Sequence, residues 1–239
     1  PWSIRANLAP KIIKGLSVSF DNISLDFRIR RFLGGRGVPL IARHQRWLGS
    51  FVDEEKGELL QDWIKPVLRE TYYQSFMHAR ECDAQLPLDR ILYNDLKTYL
   101  EGDILFKVDR ASMANSLEVR VPFLNRNVVA YANDLPFDLK RNGLSGKFIL
   151  KKAMKSRLPA EIINRPKKGF NMPVAYWLSG ELKTLMQDLL SESYIKKQSY
   201  FNYQYTNQLM DDHLSRRKDN RKLLWTLLMF QMWYSNYLN

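Results

Sequence analysis

The sequence predicts an all-α fold. Three observations carry that expectation: apolar residues recur at helical spacing along nearly the whole chain, strand-type alternation is almost absent, and Pro and Gly punctuate the pattern where helices would end. The chain has 239 residues, 45% of them hydrophobic and 26% charged, enough to build a sizeable core. It reads as a single helical domain over 1–239, with no internal repeat, low-complexity segment or linker.

Residues 1–20 carry apolar positions at helical spacing and close near Gly15. In SVSFDNISLDFRIRRFLGG, Ser24 suits an N-cap and Gly34–Gly35 a stop. The segment 39–51, PLIARHQRWLGSF, predicts a short helix ending at Gly49, and 53–83 predicts one or two helices with Pro66 at a break. In 86–124, Leu88, Ile91, Leu92, Leu96, Tyr99 and Leu100 share one apolar face. A turn at Glu101–Gly102 is expected next, then a second helix through Ile104, Leu105, Val108, Ala111 and Ser112. Val121 before Pro122 forces an extended exit. A helix at 125–136 closes at Pro136, and 144–159 forms an amphipathic helix with Phe148, Ile149 and Met154 opposite four lysines. A short turn at 161–163, a loop leading into a helix that stops at Gly180, and two further helices complete the chain.

Lys and Arg outnumber Asp and Glu by 37 to 25, a formal charge of +12. Such a surface favours anionic partners: nucleotides, pyrophosphate, nucleic acid or an acidic neighbouring domain. A basic helical binding module is one reading of it. Nucleic acid is disfavoured, because the cations look scattered over many helices and no nucleic-acid fold signature accompanies them. The single cysteine, Cys82, excludes an intramolecular disulfide and a thiolate zinc site, and reads as a small buried hydrophobe. His44, His78 and His213 show no ligand spacing, so no metal site is expected. No secretory h-region precedes the first helix, and 223–238, LLWTLLMFQMWYSNYL, is too short and polar for about 30 Å of hydrocarbon. It reads as a core helix, and the expectation is a cytoplasmic protein without a membrane partner. The chain starts at Pro1 without Met and reads as a piece of something longer.

Three constellations carry chemistry. Asp103, Lys107 and Arg110 stand at i, i+4 and i+7 on one helix face with Asp109 close by and small residues alongside. That spacing describes equally a salt-bridged helix packed on its neighbour or an ionisable cluster at a cleft. Glu118 and Arg120 alternate with Val119 and Val121 in an extended stretch, which puts both charges on one side. They form either a wall of a site or a buried ion pair anchoring the turn. Finally, RPKKGF at 165–170 concentrates cations between Pro166 and Gly169, where regular helix is excluded. Lys167 and Lys168 are flexible point charges suited to phosphate, or else part of a solvated charged turn.

Taken together, DILFKVDRASMANSLEVRVPFL, LPAEIINRPKKGFNMPVAYWL and RKLLWTLLMFQMW resemble the C-terminal part of the glutamine-hydrolysing, class B asparagine synthetase family, from about Leu25 to the end. The resemblance implies the helical C-terminal portion of a synthetase domain of the adenine nucleotide alpha hydrolase-like, ATP-pyrophosphatase type. Its parallel-sheet nucleotide core, with the SGGxDS and GxGxDE segments, would lie upstream and is absent from this sequence. It further implies a ligase for asparagine biosynthesis. ATP, with Mg²⁺, activates the aspartate side chain as an acyl-adenylate, and ammonia from glutamine attacks it. Partners implied are the upstream nucleotide-binding and glutaminase domains, with a homodimer compatible. Taken alone, the chain is expected to be inactive.

Residue by residue, Lys167 matches the family's loop lysine, which neutralises charge on the α-phosphate and pyrophosphate. Lys168 and Gly169 belong to the same loop, with Pro166 and Gly169 shaping it. Asp103 falls near an acidic position beside the acceptor; Asp109, Arg110, Glu118 and Arg120 match the motif as parts of the site wall. Asn125 departs from the pattern, which has Asp after PFL, and puts that position's role in question. Related amidotransferases act on other carboxylates, and this stretch does not choose among acceptors.

Overall fold

The computed structural model describes residues 18–20, 35, 37–67, 73–166 and 172–238. The expected helices at 1–20 and after Ser24 lie outside them. The chain divides into two compact units: Pro1–Glu101 with Met172–Asn239, and Gly102–Asn171. The fold is all-α; among the described residues the only strands are one two-residue antiparallel pair, beside a lone bridge between Leu60 and Phe201.

In the first unit, α1 (Leu40–Leu48) starts behind Pro39 and ends at Gly49, as the punctuation dictates. Gly35, in a turn before it, has to be glycine: a Cβ there would lie 2.7 Å from Arg43 Cγ and 2.8 Å from Trp47 Nε1. The next helix, α2 (Asp53–Leu59), is capped by Glu55, whose carboxylate accepts from the Val52 N–H at 3.0 Å. Pro66 does mark the break, in a single 3₁₀ turn (Lys65–Val67) that precedes α3 (Tyr73–Glu81). Cys82 follows, half-buried rather than buried. With Pro87 at its start, α4 (Pro87–Asp95) packs on α1 and α3. Its buried position is Asn94, and the apolar stripe of Leu88, Leu92 and Leu96 stays partly exposed. Asp95 beside Asn94 accepts from His44 Nε2–H at 2.7 Å, so a polar edge of the helix makes the contact.

The rest of this unit is α10 (Val174–Ser179), α11 (Lys183–Leu189), α12 (Glu192–Gln198), α13 (Tyr203–Leu214) and α14 (Arg221–Tyr237). Four helices therefore follow Gly180, not two. The extra ends carry no Pro or Gly: Ser191 starts α12, Ser199 ends it with φ 63°, and the Asn202 side chain caps α13 at the Tyr205 N–H. The core centres on α14, where Leu224, Leu227, Leu228 and Gln231 are spaced i, i+3, i+4, i+7 and buried. Leu59, Leu178, Met186, Leu190, Ile195 and Leu209 close over them. Loop 59–63 is laced to 199–202 by Asn202 N–H to Leu59 O (2.7 Å), Gln61 N–H to Tyr200 O (3.0 Å) and Trp63 Nε1–H to Ser199 O (2.8 Å). Although α14 is apolar, no described helix is long and apolar enough to cross a membrane.

A buried polar knot fixes the start of α14. Asp219 accepts from the Arg221 backbone N–H (3.1 Å) and guanidinium (2.6 Å), and the same guanidinium donates to Phe20 O at 2.9 Å. His213 is 0% exposed and stacks on Phe20 at 4.7 Å. Its Nε2 donates to Ala175 O at 3.3 Å, and its Nδ1 lies 3.9 Å from Asp219 Oδ1. Burial pulls its pKa below the usual 6.5.

In the second unit, the chain enters along a π-helical segment (Leu96–Leu105) that replaces the turn expected at Glu101–Gly102. Gly102 lowers helix propensity by about 1 kcal/mol, but a glycine alone does not end a helix. Then come α5 (Phe106–Met113), a 3₁₀ turn (Pro122–Leu124), α6 (Arg126–Asp134) and α7 (Phe137–Lys140). A hairpin of β1 (Arg141–Asn142) and β2 (Ser145–Gly146) sits where helix was expected from residue 144, turning at Gly143 with φ 55°. The two residues between the paired strands are Gly143 and Leu144, and a glycine at the first of them is the turn signal that helical periodicity masked. It leads into α8 (Phe148–Met154) and α9 (Ala160–Asn164).

Truncating Leu228 to Ala removes a fully buried side chain and is expected to lower unfolding free energy by about 2–5 kcal/mol. Leu144, 96% exposed, should tolerate the same change within about 0.5 kcal/mol, as read by urea denaturation. The depressed His213 pKa means that the unfolded state binds its proton first as pH falls. Stability present above the unfolded pKa of about 6.5 is therefore expected to decline as pH falls below it. In His213→Gln this part of the slope should vanish; an unchanged slope would remove His213 as its source.

Candidate functional site

Every residue singled out from the motifs belongs to the unit Gly102–Asn171. Lys167, Lys168 and Gly169 lie outside the described residues. The others are placed as follows.

Asp103 sits in the π-helical segment, a geometry found frequently at functional positions because its wider turn displaces side chains from the regular face. Its carboxylate is 3.7 Å from Lys107 Nζ, and both side chains are 55% exposed. At that exposure the pair contributes at most about 1 kcal/mol, so it orients the carboxylate more than it stabilises the helix. Arg110, one turn on, lays its guanidinium over the Phe106 ring at 5.2 Å instead of extending the ionic row. Asp109 is exposed, and its carbonyl accepts from Ser112 Oγ at 3.1 Å. The small residues Ala111 and Ala114 are exposed as well, so this stretch is not the tightly packed helix that its composition also allowed.

Glu118 and Arg120 do pair side chain to side chain, in an extended segment. They are 69% and 89% exposed, which corrects the reading of a buried anchor. Val119 and Val121, expected to tuck inward between them, are themselves exposed. Asn125 caps α6: its side-chain oxygen accepts from the Asn127 N–H at 3.0 Å. Asp would fill the same cap, so the departure from the motif leaves this local role intact.

One exposed cation of this unit outside the motifs has unusual backbone geometry. Lys147 opens α8 with φ 56° and ψ 38°, left-handed backbone that costs a non-glycine residue about 1–2 kcal/mol. It is exposed, and no ion pair among the described residues holds it. Strained backbone under a solvent-facing cation is a signal of function that only coordinates reveal.

None of the described residues of this unit is buried. Phe106, Met113, Leu117, Phe123 and Tyr131 all stand more than half exposed. The unit thus presents charged groups on an open, partly apolar face. No group of three His, Cys, Asp or Glu among the described residues could hold a metal ion.

Comparison with known proteins identifies the lineage. The sequence model of the asparagine synthase family matches residues 20–235. Asparagine synthetase [glutamine-hydrolyzing] 1 of Bacillus subtilis (strain 168) is 32% identical over 214 residues, 84% of this chain and 33% of that protein. A putative asparagine synthetase [glutamine-hydrolyzing] of Mycobacterium tuberculosis (strain ATCC 25618 / H37Rv) is 37% identical over 150 residues, 62% of this chain and 23% of that protein. Amidase chry2 of Gibberella zeae is 25% identical over 139 residues, covering 55% and 21%. No solved structure gives a significant match. The chain spans about a third of the length of the first of these relatives, and over its own length it belongs to the asparagine synthase family.

Proposed function

We propose that this chain supplies the helical part of an ATP-dependent, asparagine synthetase-like amidoligase. In the reaction, a carboxylate oxygen of aspartate attacks the α-phosphorus of ATP and pyrophosphate leaves. Ammonia derived from glutamine then attacks the acyl carbon, and AMP leaves with the proton balance passing to solvent. The observation that carries this reading is the run of family motifs within one compact unit, between Asp103 and Gly169.

Lys167 is assigned to the α-phosphate and departing pyrophosphate, where a cation acts on charge that grows in the transition state. Lys168 shares that loop, and Gly169 lets it close. Asp103 is assigned to the acceptor, with Asp109, Arg110, Glu118 and Arg120 shaping the wall. Lys147 joins them as a second phosphate-facing cation, supported by its strained, exposed geometry. The described residues offer no carboxylate cluster for Mg²⁺, so no step is routed through that ion. The open apolar face of the unit agrees with a cleft completed by other parts of the polypeptide, for which the upstream nucleotide-binding and glutaminase domains are the proposed partners.

A second reading stays within the same chemistry: another carboxylate as acceptor. The match to a protein named as an amidase favours keeping it.

The test is ATP–pyrophosphate exchange by the natural polypeptide carrying this chain, across carboxylic acids led by aspartate. Aspartate-dependent exchange falling by about 10²-fold or more in Lys167→Ala is the expected result. Dependence on a different acid moves the assignment to the second reading, and no exchange with any acid overturns both. Lys147→Gly is expected to keep or raise stability, by up to about 1 kcal/mol, because glycine accepts φ 56° freely. Exchange should nevertheless fall in that variant. A loss of stability together with activity would make Lys147 a structural residue.

A further inference from the structure

The net charge of +12 is concentrated: residues 140–165 contain eight Lys and Arg against a single acid, Glu161. On the structure the densest part is α8 and the turn after it, where Lys151, Lys152, Lys155 and Arg157 are four of seven consecutive residues. Lys152, Lys155 and Arg157 are exposed and Lys151 is half-buried. The ion pairs among the described residues of this unit, Asp103–Lys107 and Glu118–Arg120, include none of these four. Among the described residues, then, no ion pair ties up these four cations.

We propose that this basic stretch, α8 with the turn after it, binds the phosphate backbone of a nucleic acid without regard to sequence. Three features favour that occupant. First, the apolar side of α8, Phe148, Ile149 and Met154, is half-buried, and the helix packs on α7 and the hairpin. It is not free to enter a bilayer, which an interfacial helix requires. Second, lysine is depleted from protein–protein interfaces, whose centres want aromatic or aliphatic anchors, and these seven positions supply Ala153 and Met154 at most. Third, a row of lysines acts as point charges toward phosphate, while no aromatic side chain lies among them to stack on bases. Contact with the backbone alone carries no sequence information. Read along the chain the basic residues look dispersed; the dispersion hides one segment where acids are nearly missing.

The experiment titrates a fluorescently labelled mixed-sequence duplex with the natural polypeptide at several salt concentrations, following anisotropy. Four contacts predict a log–log salt slope of about −3 to −4, and an unrelated duplex sequence should bind equally. The triple variant K151Q/K152Q/K155Q, with circular dichroism and melting matching the wild type, should flatten the slope by about 0.9 per lysine removed. Replacing the same three by Arg should restore binding. Should the Gln variant lose its fold, the Arg variant and single Lys155→Gln, at an exposed position, carry the comparison. The proposal is overturned by absence of duplex binding at about 50 mM salt. It is equally overturned by binding that the folded variants leave unchanged, or by adsorption to phosphatidylglycerol vesicles with no duplex binding.

Discussion

One face of α14, formed by Leu224, Leu227, Leu228 and Gln231, packs against α10, α11 and α13, and the first unit is organised around it. Each of these positions is within a few per cent of complete burial, so the helix carries a large share of the apolar area removed from water. The polar Gln231 is tolerated there because Gln198 donates to its carbonyl at 2.7 Å. The Asp219–Arg221–Phe20 knot sets where that helix begins, and Lys222 and Thr226 bond to Leu48 O and Ser50 Oγ on its outer side. Displacing α14 would therefore loosen α10, α11 and α13 together with the 48–63 segment.

The unit bearing the motifs is built on the opposite principle. It has no buried residue among those described, and its ion pairs are exposed. Local rules hold it: Asn125 caps α6, Pro122 and Pro136 fix extended exits, and a Gly143–Leu144 turn closes the hairpin. Such devices specify local shape at about 1 kcal/mol each and do not create a low-dielectric interior. Charged groups on this face are consequently well solvated. For any of them to act strongly on phosphate charge, water has to be excluded by something that covers the face. The chemistry proposed for Lys167 and Lys147 depends on that covering as much as on the lysines.

Helix punctuation was legible at several Pro and Gly positions. Gly49, Pro66, Pro122, Pro136 and Gly180 all mark real ends or breaks. It was illegible where Ser and Asn did the same work. Ser191, Ser199 and Asn202 divide one expected stretch into three helices, and serine in the middle of a polar run gives little warning. The Glu101–Gly102 turn failed for the converse reason: a glycine compatible with a turn is compatible also with a widened helix, and side-chain pairing at Asp103–Lys107 follows the helical path. Periodicity also misplaced burial in α4, since it records which face is apolar and not which face has a neighbour.

The candidate site divides along the same line. Its motifs are chemical strings, and strings survive in sequence, so Asp103, Asp109, Arg110, Glu118, Arg120 and the RPKKGF loop could all be found before any coordinates. Lys147 could not, because its distinguishing property is a dihedral angle. Nothing in SGKFILKK marks the third residue as left-handed, and a lysine ahead of an amphipathic helix has an ordinary explanation on the solvated face. Left-handed backbone at a non-glycine position persists only where surrounding structure or function outweighs its cost. Here the hairpin immediately before it, joined Arg141 to Gly146, delivers the chain into that conformation. The hairpin and the strain at Lys147 are thus one feature: the tight reversal at Gly143 aims the chain, and the left-handed residue turns it into α8, leaving the ammonium in solvent at the head of the helix.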